Sequence, residues 1–330
     1  MPQPVISLII PIYNVEKFLW RTLESVQSQT WKDFEAICVN DGSSDGSADI
    51  VKKFVMSDKR FKLIDKQNGG VASARNTALG VAKGKYIMFL DGDNYLHPQA
   101  MAVAVATMVR TNADVCQFGY QEVQADEKVK MEPVLKDYLV ATVSEPALEY
   151  IKNRSVPQIV IWNKIYKANL AKGQTFYPIR PGEDDVYSLQ ILLQTTKMVT
   201  IEPVLAYYVQ NPKSVMHTIS EEKMSENRLI VEKYITDILK KFVTENPHSK
   251  VCEVFRTYQT NTERTVIKSL LIKPLRQGAS NMDLAQNFAK YQQRIAKGDA
   301  YLPALKYKHR LMLKLLDGQH YTLARILMWL

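Results

Sequence analysis

Two aspartates stand one residue apart at the end of an apolar run, and they are the strongest chemical signal in the chain. Asp91 and Asp93 follow Tyr86–Leu90, five consecutive apolar residues that predict a strand buried on both faces. Gly92 between them is free to adopt the backbone angles of a tight turn. Alternate carboxylates at a strand end can converge on one hard cation and leave positions open for phosphate oxygens. A simple polar turn is the alternative interpretation.

A polar loop, Asn40–Ser47, supplies two more carboxylates, Asp41 and Asp45, directly after a predicted strand at Phe34–Val39. Aspartate and serine often serve as helix N-caps and turn formers, which is one interpretation of this loop. The other is a nucleotide site, because a carboxylate can accept the N3–H of uracil and an aromatic such as Tyr13 can stack on the ring. Both interpretations stay open at this point.

The elements that would position these loops alternate between strands and helices. We expect strands near residues 5–10, 34–39, 61–64 and 86–90 and helices near residues 15–29, 48–55 and 71–82, with Pro11–Asn14 ending the first strand. This alternation predicts an α/β fold with a mostly parallel sheet flanked by helices. Ligands bind at the carboxyl ends of such strands. One crevice is therefore expected to collect Asp41, Asp45, Arg75, Asp91 and Asp93.

The remaining chain divides into a second strand-containing part and a helical part. A helix near Pro98–Arg110 precedes a strand near Ala113–Tyr120, and the charged residues 121–145 are expected to form a loop. Strands at Val199–Glu202 and Val204–Val209 would close the first domain. From about residue 220 onward the apolar residues recur with helical spacing.

Composition limits the class of protein. The 330 residues are 46% hydrophobic and 23% charged, which is usual for a globular protein, and no apolar run reaches the roughly 18 residues needed to span a bilayer. Cys38, Cys116 and Cys252 are odd in number and far apart, which fits reduced thiols and argues against disulfides or a zinc site. The N-terminus also lacks the pattern of a signal peptide, so we expect a cytoplasmic location.

The net charge of +9 is concentrated near the C-terminus, where residues 251–330 hold 13 Lys and Arg against 5 Asp and Glu. Such a segment indicates an anionic partner. Residues 303–330 mix basic and apolar side chains and include Trp329, a pattern typical of peripheral contact with the inner face of an anionic membrane. Packing of this tail on its own domain is equally consistent. No nucleic-acid-binding motif accompanies the charge, so nucleic acid is not expected as a partner.

Several nucleotide-binding classes lack their motifs in this chain. Neither Gly-x-Gly-x-x-Gly nor Gly-x-x-x-x-Gly-Lys-Ser/Thr is present, which disfavours dinucleotide redox enzymes and P-loop ATPases. A nucleotidyltransferase would be expected to carry a glycine-rich, basic loop after the first strand, and Pro11–Asn14 is not such a loop.

Four segments, in the same order as the motifs of the family, together resemble a family 2 glycosyltransferase of GT-A fold. They are Ser7–Asn14, Asn40–Ser47, Asn68–Asn76 and Leu90–Asp93. The resemblance implies an inverting transferase that uses a nucleotide-diphosphate sugar and a divalent metal, Mn²⁺ or Mg²⁺. By motif, Asp41 would hold uracil, Arg75 would contact the nucleotide or its phosphates, and Asp91 the ribose, the metal or its water. Asp93 would bind the metal. The nucleotide-sugar site would also include Pro11, Tyr13, Asn14, Asp45 and Gly92.

This chain departs from the family pattern at Asn94, where many relatives have a third acidic residue. Asparagine still offers an oxygen donor, so the resemblance keeps a metal site but not a definite role for Asn94. A histidine near the end of the first domain reaches the metal or diphosphate in some relatives, which makes His217 a candidate. A surface or packed histidine is the alternative.

A second group of motifs resembles the catalytic region of bacterial family 2 enzymes. A Trp-Asn-Lys segment within Ile161–Lys167 precedes Glu183, Asp184 and Asp185, and the family spacing places the catalytic base at Asp184 with Tyr187 as the following aromatic. Asp185 and Glu183 leave the register open by one position. Three acidic residues also suit the N-terminus of a helix, where they complement its dipole, and this role is compatible with catalysis.

The sequence therefore predicts a GT-A catalytic domain at residues 1–217 and a helical region at residues 218–330. The expected activity is transfer of a hexose or N-acetylhexosamine from a UDP-sugar to an oligosaccharide or lipid-linked acceptor. The product would be a β-linked bacterial surface glycan of the lipopolysaccharide, capsule or exopolysaccharide type. The alternative is a non-catalytic nucleotide-sugar-binding or scaffold protein of a glycan assembly complex.

Overall fold

The structure is a computed structural model, and it describes residues 3–135, 137–153, 159–212, 214, 218–296 and 307–329. Within this part of the chain, nine strands form one mixed sheet in the order β3-β2-β1-β4-β8-β6-β9-β5, and β7 also pairs with β9. The strands are β1 (Ile6–Ile12), β2 (Phe34–Asn40), β3 (Phe61–Asp65), β4 (Tyr86–Phe89), β5 (Tyr95–Leu96), β6 (Val115–Val123), β7 (Val140–Val143), β8 (Lys164–Lys167) and β9 (Met198–Val209).

Helices flank the sheet in the first part of the chain and make up the last part. The first seven are α1 (Glu16–Gln27), α2 (Ser47–Ser57), α3 (Val71–Val81), α4 (Ala100–Thr111), α5 (Pro146–Asn153), α6 (Ala168–Lys172) and α7 (Glu183–Leu192). They are followed by α8 (Glu221–Glu245), α9 (Val251–Ile267), a π-helical stretch (Lys268–Ile272), α10 (Lys273–Arg276), α11 (Asn281–Ala296), α12 (Tyr307–Asp317) and α13 (Tyr321–Trp329).

The first four strands run parallel, as the alternation of strands and helices predicts. Strand β1 lies between β2 and β4, and all seven residues of both β1 and β2 are buried. Such continuous burial explains why these strands are predominantly apolar, because helices cover both faces of the sheet. Ile9 lies opposite Ile37 on one side and Phe89 on the other, so the three strands end near one another. The loops after β1, β2 and β4 therefore share one edge.

The first strand ends within Pro11–Asn14, as expected, and it continues through Pro11 to Ile12. Residues of β1 alternate between facing β2 and facing β4, and the Ile9 carbonyl accepts from Leu90 whereas the Ile12 carbonyl accepts from Asp41. Pro11 therefore faces the β4 side, where pairing has already stopped at Ile9. The missing N–H of proline leaves no ladder bond unmade there.

The second half of the sheet differs from the sequence prediction in three strands. Strand β8 runs antiparallel between β4 and β6, which brings its first residue, Lys164, to the edge where β4 ends. Residues 121–145 are not entirely loop, since β6 extends to Val123 and β7 pairs antiparallel with β9. The two expected strands near residues 199–209 form one strand, β9, with register shifts opposite Gly119. A carbonyl of Glu202 lies too close to Gly119 for any side chain there.

The chain divides into two compact units, Met1–Val231 and Glu232–Leu330. The domain bounds expected from sequence, residues 1–217 and 218–330, stay a prediction, because the compactness of a unit does not define its function. In the second unit, Met312, Leu316 and Ala324 of the C-terminal helices are buried, so part of the basic tail packs on its own unit. Across the described ranges, no helix is long and apolar enough to cross a membrane.

Asp114 holds three segments together at the start of β6. Its Oδ1 accepts from Lys167 Nζ at 2.9 Å, and its Oδ2 accepts from the backbone N–H groups of Thr196 and Lys197 and from the Thr196 hydroxyl. Burial opposes the charged carboxylate, but the bonds from Thr196 and Lys167 outweigh it and lower the pKa of Asp114 to about 2. The carboxylate thus ties β8 and the turn before β9 to β6.

We expect Asp114→Ala to lower the free energy of unfolding by about 2–3 kcal/mol near pH 7, because four bonds to a charged acceptor are lost. The folded pKa lies below the unfolded value of about 3.9, so this stabilisation is full above that pH and declines as the pH falls toward the folded pKa. Urea unfolding at several pH values measures the difference. Asp126→Ala, at an exposed carboxylate, is the control. A loss in the free energy of unfolding of Asp114→Ala that increases as the pH falls would contradict the role of the charged Asp114 carboxylate.

Candidate active site

One buried arginine binds three carboxylates at the edge where β4 ends. Arg75 of α3 is 3% exposed, and its Nη2 donates to Asp91 Oδ1 at 2.8 Å. Its Nη1 donates to Glu183 Oε1 at 3.0 Å and to Asp184 Oδ1 at 2.6 Å. Asp91 follows β4, whereas Glu183 and Asp184 begin α7, more than 90 residues later. The structure therefore brings four of the predicted site residues together.

The charges of this cluster shift one another's ionisation. Burial works against the guanidinium charge, but Asp184, Asp91 and Glu183 raise the pKa of Arg75 above its ordinary value. Burial raises the pKa of Asp184 to about 7 against the opposing effect of Arg75, and the neighbouring charges of Glu183 and Asp91 add to the increase. A carboxyl group with a pKa near the working pH suits proton transfer in either direction. The arrangement can therefore supply a general base.

The acidic residues at the start of α7 point in different directions. Asp185 accepts a hydrogen bond from the hydroxyl of Tyr150 on α5 and is 8% exposed. Glu183 and Asp184 both bond Arg75, whereas Asp185 bonds Tyr150 and so faces a different neighbour. Tyr187, the aromatic of the motif, stacks on Phe176 at 3.8 Å between ring centroids and donates its hydroxyl to the Ala171 carbonyl. Tyr187 therefore anchors α7 in the core.

A second buried basic residue, Lys164, interacts electrostatically with Asp184. It is 2% exposed, and its Nζ donates to the Val160 carbonyl and to Asn163 Oδ1. Burial lowers the pKa of Lys164 to about 7, and Asp184 opposes this effect. Lys164 belongs to the Trp-Asn-Lys segment, to which the sequence assigns no role, and it reaches this edge because β8 runs antiparallel.

Asp91 and Asp93 form a carboxylate pair with few compensating donors. Asp93 Oδ2 accepts from Asn211 Nδ2 at 2.9 Å, and Asn211 follows the end of β9. Burial and the charge of Asp91 raise the pKa of Asp93 to about 6, and Asn211 only partly offsets them. Two carboxylates that repel each other beside an amide oxygen suit a divalent cation. The described residues contain no group of three or more His, Cys, Asp and Glu that could hold a metal, and His217 lies outside them.

Asn94 takes a structural role instead of joining this pair. Its Oδ1 accepts from the backbone N–H of Val209 at 2.9 Å, and its side chain is almost completely buried. This bond links the turn after β4 to the end of β9, the strand that leads to Asn211. Asn94 therefore connects the turn to the strand through its side-chain oxygen.

Asp41 lies in a separate cradle at the end of β2. Its Oδ1 accepts from Lys66 Nζ at 2.6 Å and from the Gly69 N–H at 3.0 Å, and its Oδ2 accepts from the Gly70 N–H at 2.8 Å. Gly70 has a φ of +84°, a conformation that favours glycine. These donors fix the carboxylate in one orientation.

The other predicted nucleotide-site residues lie in the loops after β1, β2 and β4. Asn14, at a φ of +52°, accepts from Ser44, and Asp45 accepts from the backbone N–H groups of Glu16 and Ser47 at 3.1 and 3.0 Å. The carbonyl of Gly92 accepts from Thr22, while Tyr13 is 45% exposed. Direct contact of these residues with a nucleotide stays a prediction. The same holds for Pro11.

Lys66, Lys164 and Asn211 are the residues at this edge that sequence reasoning missed. Each lies at a strand end, Lys66 after β3, Lys164 at the start of β8 and Asn211 after β9. Position after a predicted strand was a usable signal for Lys66 and Asn211. No such signal existed for Lys164, because its strand runs opposite to its neighbours.

Comparison with known proteins agrees with this fold. A family model for glycosyl transferase family 2 matches residues 7–170. The chain is 29% identical over 229 residues to the uncharacterized glycosyltransferase EpsJ of Bacillus subtilis. This alignment covers 68% of this chain and 66% of EpsJ. It is 30% identical over 238 residues to glycosyltransferase GlyG of Streptococcus pneumoniae. That alignment covers 69% of this chain and 77% of GlyG.

Among solved structures, S. aureus TarS 1-349 in complex with UDP-GlcNAc superposes with a TM-score of 0.62 at 20% identity, over 98% of this chain and 90% of that chain. At this identity the likeness shows the fold, which is that of a GT-A glycosyltransferase with a helical C-terminal region. The sequence matches go further, and the chain belongs to glycosyl transferase family 2.

We expect Asp45→Ala to lower the free energy of unfolding by about 1–2 kcal/mol, because two N–H groups at the starts of α1 and α2 lose their acceptor. Affinity for UDP should change by less than about twofold if the carboxylate serves only these helices. Denaturant unfolding and calorimetry measure the two quantities. Asp49→Ala, at an exposed carboxylate on α2, is the matched control. Weaker UDP binding with unchanged stability would place Asp45 at the nucleotide instead.

Proposed function

We propose that this protein is an inverting hexosyltransferase that moves a hexose or N-acetylhexosamine from a UDP-sugar to a glycan acceptor. The observation that carries the proposal is the cluster in which Arg75 binds Asp91, Glu183 and Asp184. It joins the strand end that would hold the donor diphosphate to the helix start that would supply the base. A non-catalytic binding protein would not require Asp184 beside this edge.

Asp184 is the proposed base. Its carboxylate would take the proton of the acceptor hydroxyl as that oxygen attacks the anomeric carbon, while the bond from this carbon to the diphosphate breaks. A single displacement converts an α-linked donor into a β-glycoside. Arg75 and Lys164 would keep Asp184 oriented and limit the cost of its charge in a buried position.

Asp91 and Asp93, with the side-chain oxygen of Asn211, would hold a divalent cation, Mn²⁺ or Mg²⁺. When bound, such a cation offsets the negative charge that grows on the leaving diphosphate. Burial and mutual repulsion of the two carboxylates support this assignment, because a cation relieves both. The proposed ligand His217 is not among the described residues.

The donor class is proposed from Asp41 and from the relatives. TarS, which shares the fold, was crystallised with UDP-GlcNAc. For the acceptor, we propose a growing oligosaccharide or lipid-linked glycan, since the sequence relatives are bacterial glycosyltransferases. Membrane contact through residues 303–330 stays a prediction. The burial of Met312, Leu316 and Ala324 leaves fewer apolar side chains for such a contact.

Calorimetry with UDP-, GDP- and dTDP-sugars, each with and without Mn²⁺, tests the donor and metal assignments. We expect micromolar binding of a UDP-sugar that requires Mn²⁺, and loss of the Mn²⁺ effect in Asp93→Ala, because that variant removes a buried ligand. Asp126→Ala, at an exposed carboxylate, is the control for charge. Absence of binding by every nucleotide sugar to the folded protein would contradict the proposed function. An unchanged Mn²⁺ effect in Asp93→Ala would remove Asp93 from the metal site.

Asp184→Asn should slow sugar transfer by about 10²–10⁴-fold, because the amide cannot accept the proton. UDP-sugar affinity should change by less than about twofold, since Asp184 is assigned to the acceptor side. The matched variant is Asp185→Asn, whose side chain bonds Tyr150 instead of Arg75. It should retain most of the turnover and lose some thermal stability. If Asp185→Asn is the inactive variant and Asp184→Asn turns over, the base assignment is wrong by one residue.

A further inference from the structure

Asp41 and Lys66 form a charged pair whose lysine has no part in the chemistry proposed above. Lys66 follows β3, and its backbone N–H donates to the Asn40 carbonyl at 3.0 Å, which holds it beside the end of β2. Its Nζ lies 2.6 Å from Asp41 Oδ1, and the Asp41 side chain is only 4% exposed. The pair is therefore placed by backbone contacts of two adjacent strands.

The hydrogen bonds of this pair leave one acceptor position and one donor position open in the described part of the chain. Asp41 Oδ1 uses both lone pairs on Lys66 Nζ and the Gly69 N–H, whereas Oδ2 accepts only from the Gly70 N–H. The Lys66 ammonium has three hydrogens, and two of them go to Asp41 and the Gln67 carbonyl. The Lys66 side chain is 21% exposed, so the third hydrogen can meet a ligand.

The surrounding loop keeps this arrangement rigid. A Cβ atom on Gly69 would lie 2.9 Å from Lys66 Nζ, so the absence of a side chain at residue 69 makes room for the ammonium group. The two backbone N–H groups that bind Asp41 come from consecutive residues of the same loop. A site whose polar groups are held in this way discriminates strongly among ligands, because a mismatched ligand leaves a buried group unpaired.

We propose that Lys66 determines base specificity by donating to the O4 carbonyl of uracil while Asp41 accepts the adjacent N3–H. The proposal rests on the UDP-sugar function above and adds the residue that selects the base. Uracil presents N3–H between two carbonyl groups, which matches an acceptor beside a donor. Cytosine presents an unprotonated N3 to the carboxylate and, on one side, an amino group to the ammonium. Both contacts with cytosine are repulsive, so the pair selects uracil against cytosine.

Calorimetry of the full chain with UDP and CDP in the presence of Mn²⁺ tests this selection. Wild type should bind UDP at least about a hundredfold more tightly than CDP. Lys66→Met should bind UDP about tenfold more weakly without a matching loss of CDP affinity, so the ratio of UDP to CDP affinity falls. The matched control is Lys62→Met, which removes the Lys62–Glu35 ion pair from the other end of β3. It should leave both affinities unchanged.

Thio analogues test the carbonyl contact directly and need no variant. Sulfur is a weak acceptor, so 4-thio-UDP should bind wild type about tenfold more weakly than UDP, whereas 2-thio-UDP should bind as UDP does. In Lys66→Met that penalty should vanish, because the donor is gone.

Three outcomes separate the two proposals. Wild type that binds 4-thio-UDP as tightly as UDP overturns the role of Lys66, as does a ratio of UDP to CDP affinity that is equal in wild type and Lys66→Met. In both cases the UDP-sugar function survives. Folded wild type that does not bind UDP with Mn²⁺ overturns the proposed function itself, and the role of Lys66 falls with it.

Discussion

A single buried guanidinium connects the two parts of the chain that would handle donor and acceptor. Arg75 binds Asp91 at the end of β4 and both Glu183 and Asp184 at the start of α7. Breaking a buried ion pair by removing one partner costs about 3–5 kcal/mol, so each carboxylate depends on Arg75 and Arg75 depends on them. The position of α7, and hence the direction in which Asp184 points, is therefore tied to the strand end that carries the Asp91–Asp93 pair.

The fold could be predicted as far as its signals were local. Strands β1, β2 and β4 are predominantly apolar, and the polar loops after them locate the shared edge without knowledge of any contact. Strands β5 and β7 contain two and four residues, and β7 is half exposed, so their pairing with β9 leaves little trace in the sequence. The antiparallel direction of β8 depends on contacts with β4 and β6, which are far away in sequence.

The site could be predicted where a side chain follows a strand, and not where its partner decides the role. Asp41, Asp91 and Asp93 were predicted in this way. Lys66 and Asn211 also follow strands, but their contacts could not be predicted because their partners Asp41 and Asp93 lie 25 and 118 residues away. The ambiguity between Asp184 and Asp185 could not be resolved from spacing, because only the rotation of the helix separates a residue that faces Arg75 from one that faces Tyr150.

The carboxylates at this edge fall into two kinds, and the difference indicates how binding would be linked to catalysis. The charge of Asp41 is compensated by an ammonium and two backbone N–H groups, so its carboxylate is held in one orientation. Asp91 and Asp93 repel each other, and the charge of Asp91 also contributes to the raised pKa of Asp184. A cation held by Asp91 and Asp93, as proposed, would offset the charge of Asp91 and so reduce its contribution to the raised pKa of Asp184. The proposed metal site and the proposed base would therefore be linked through Asp91.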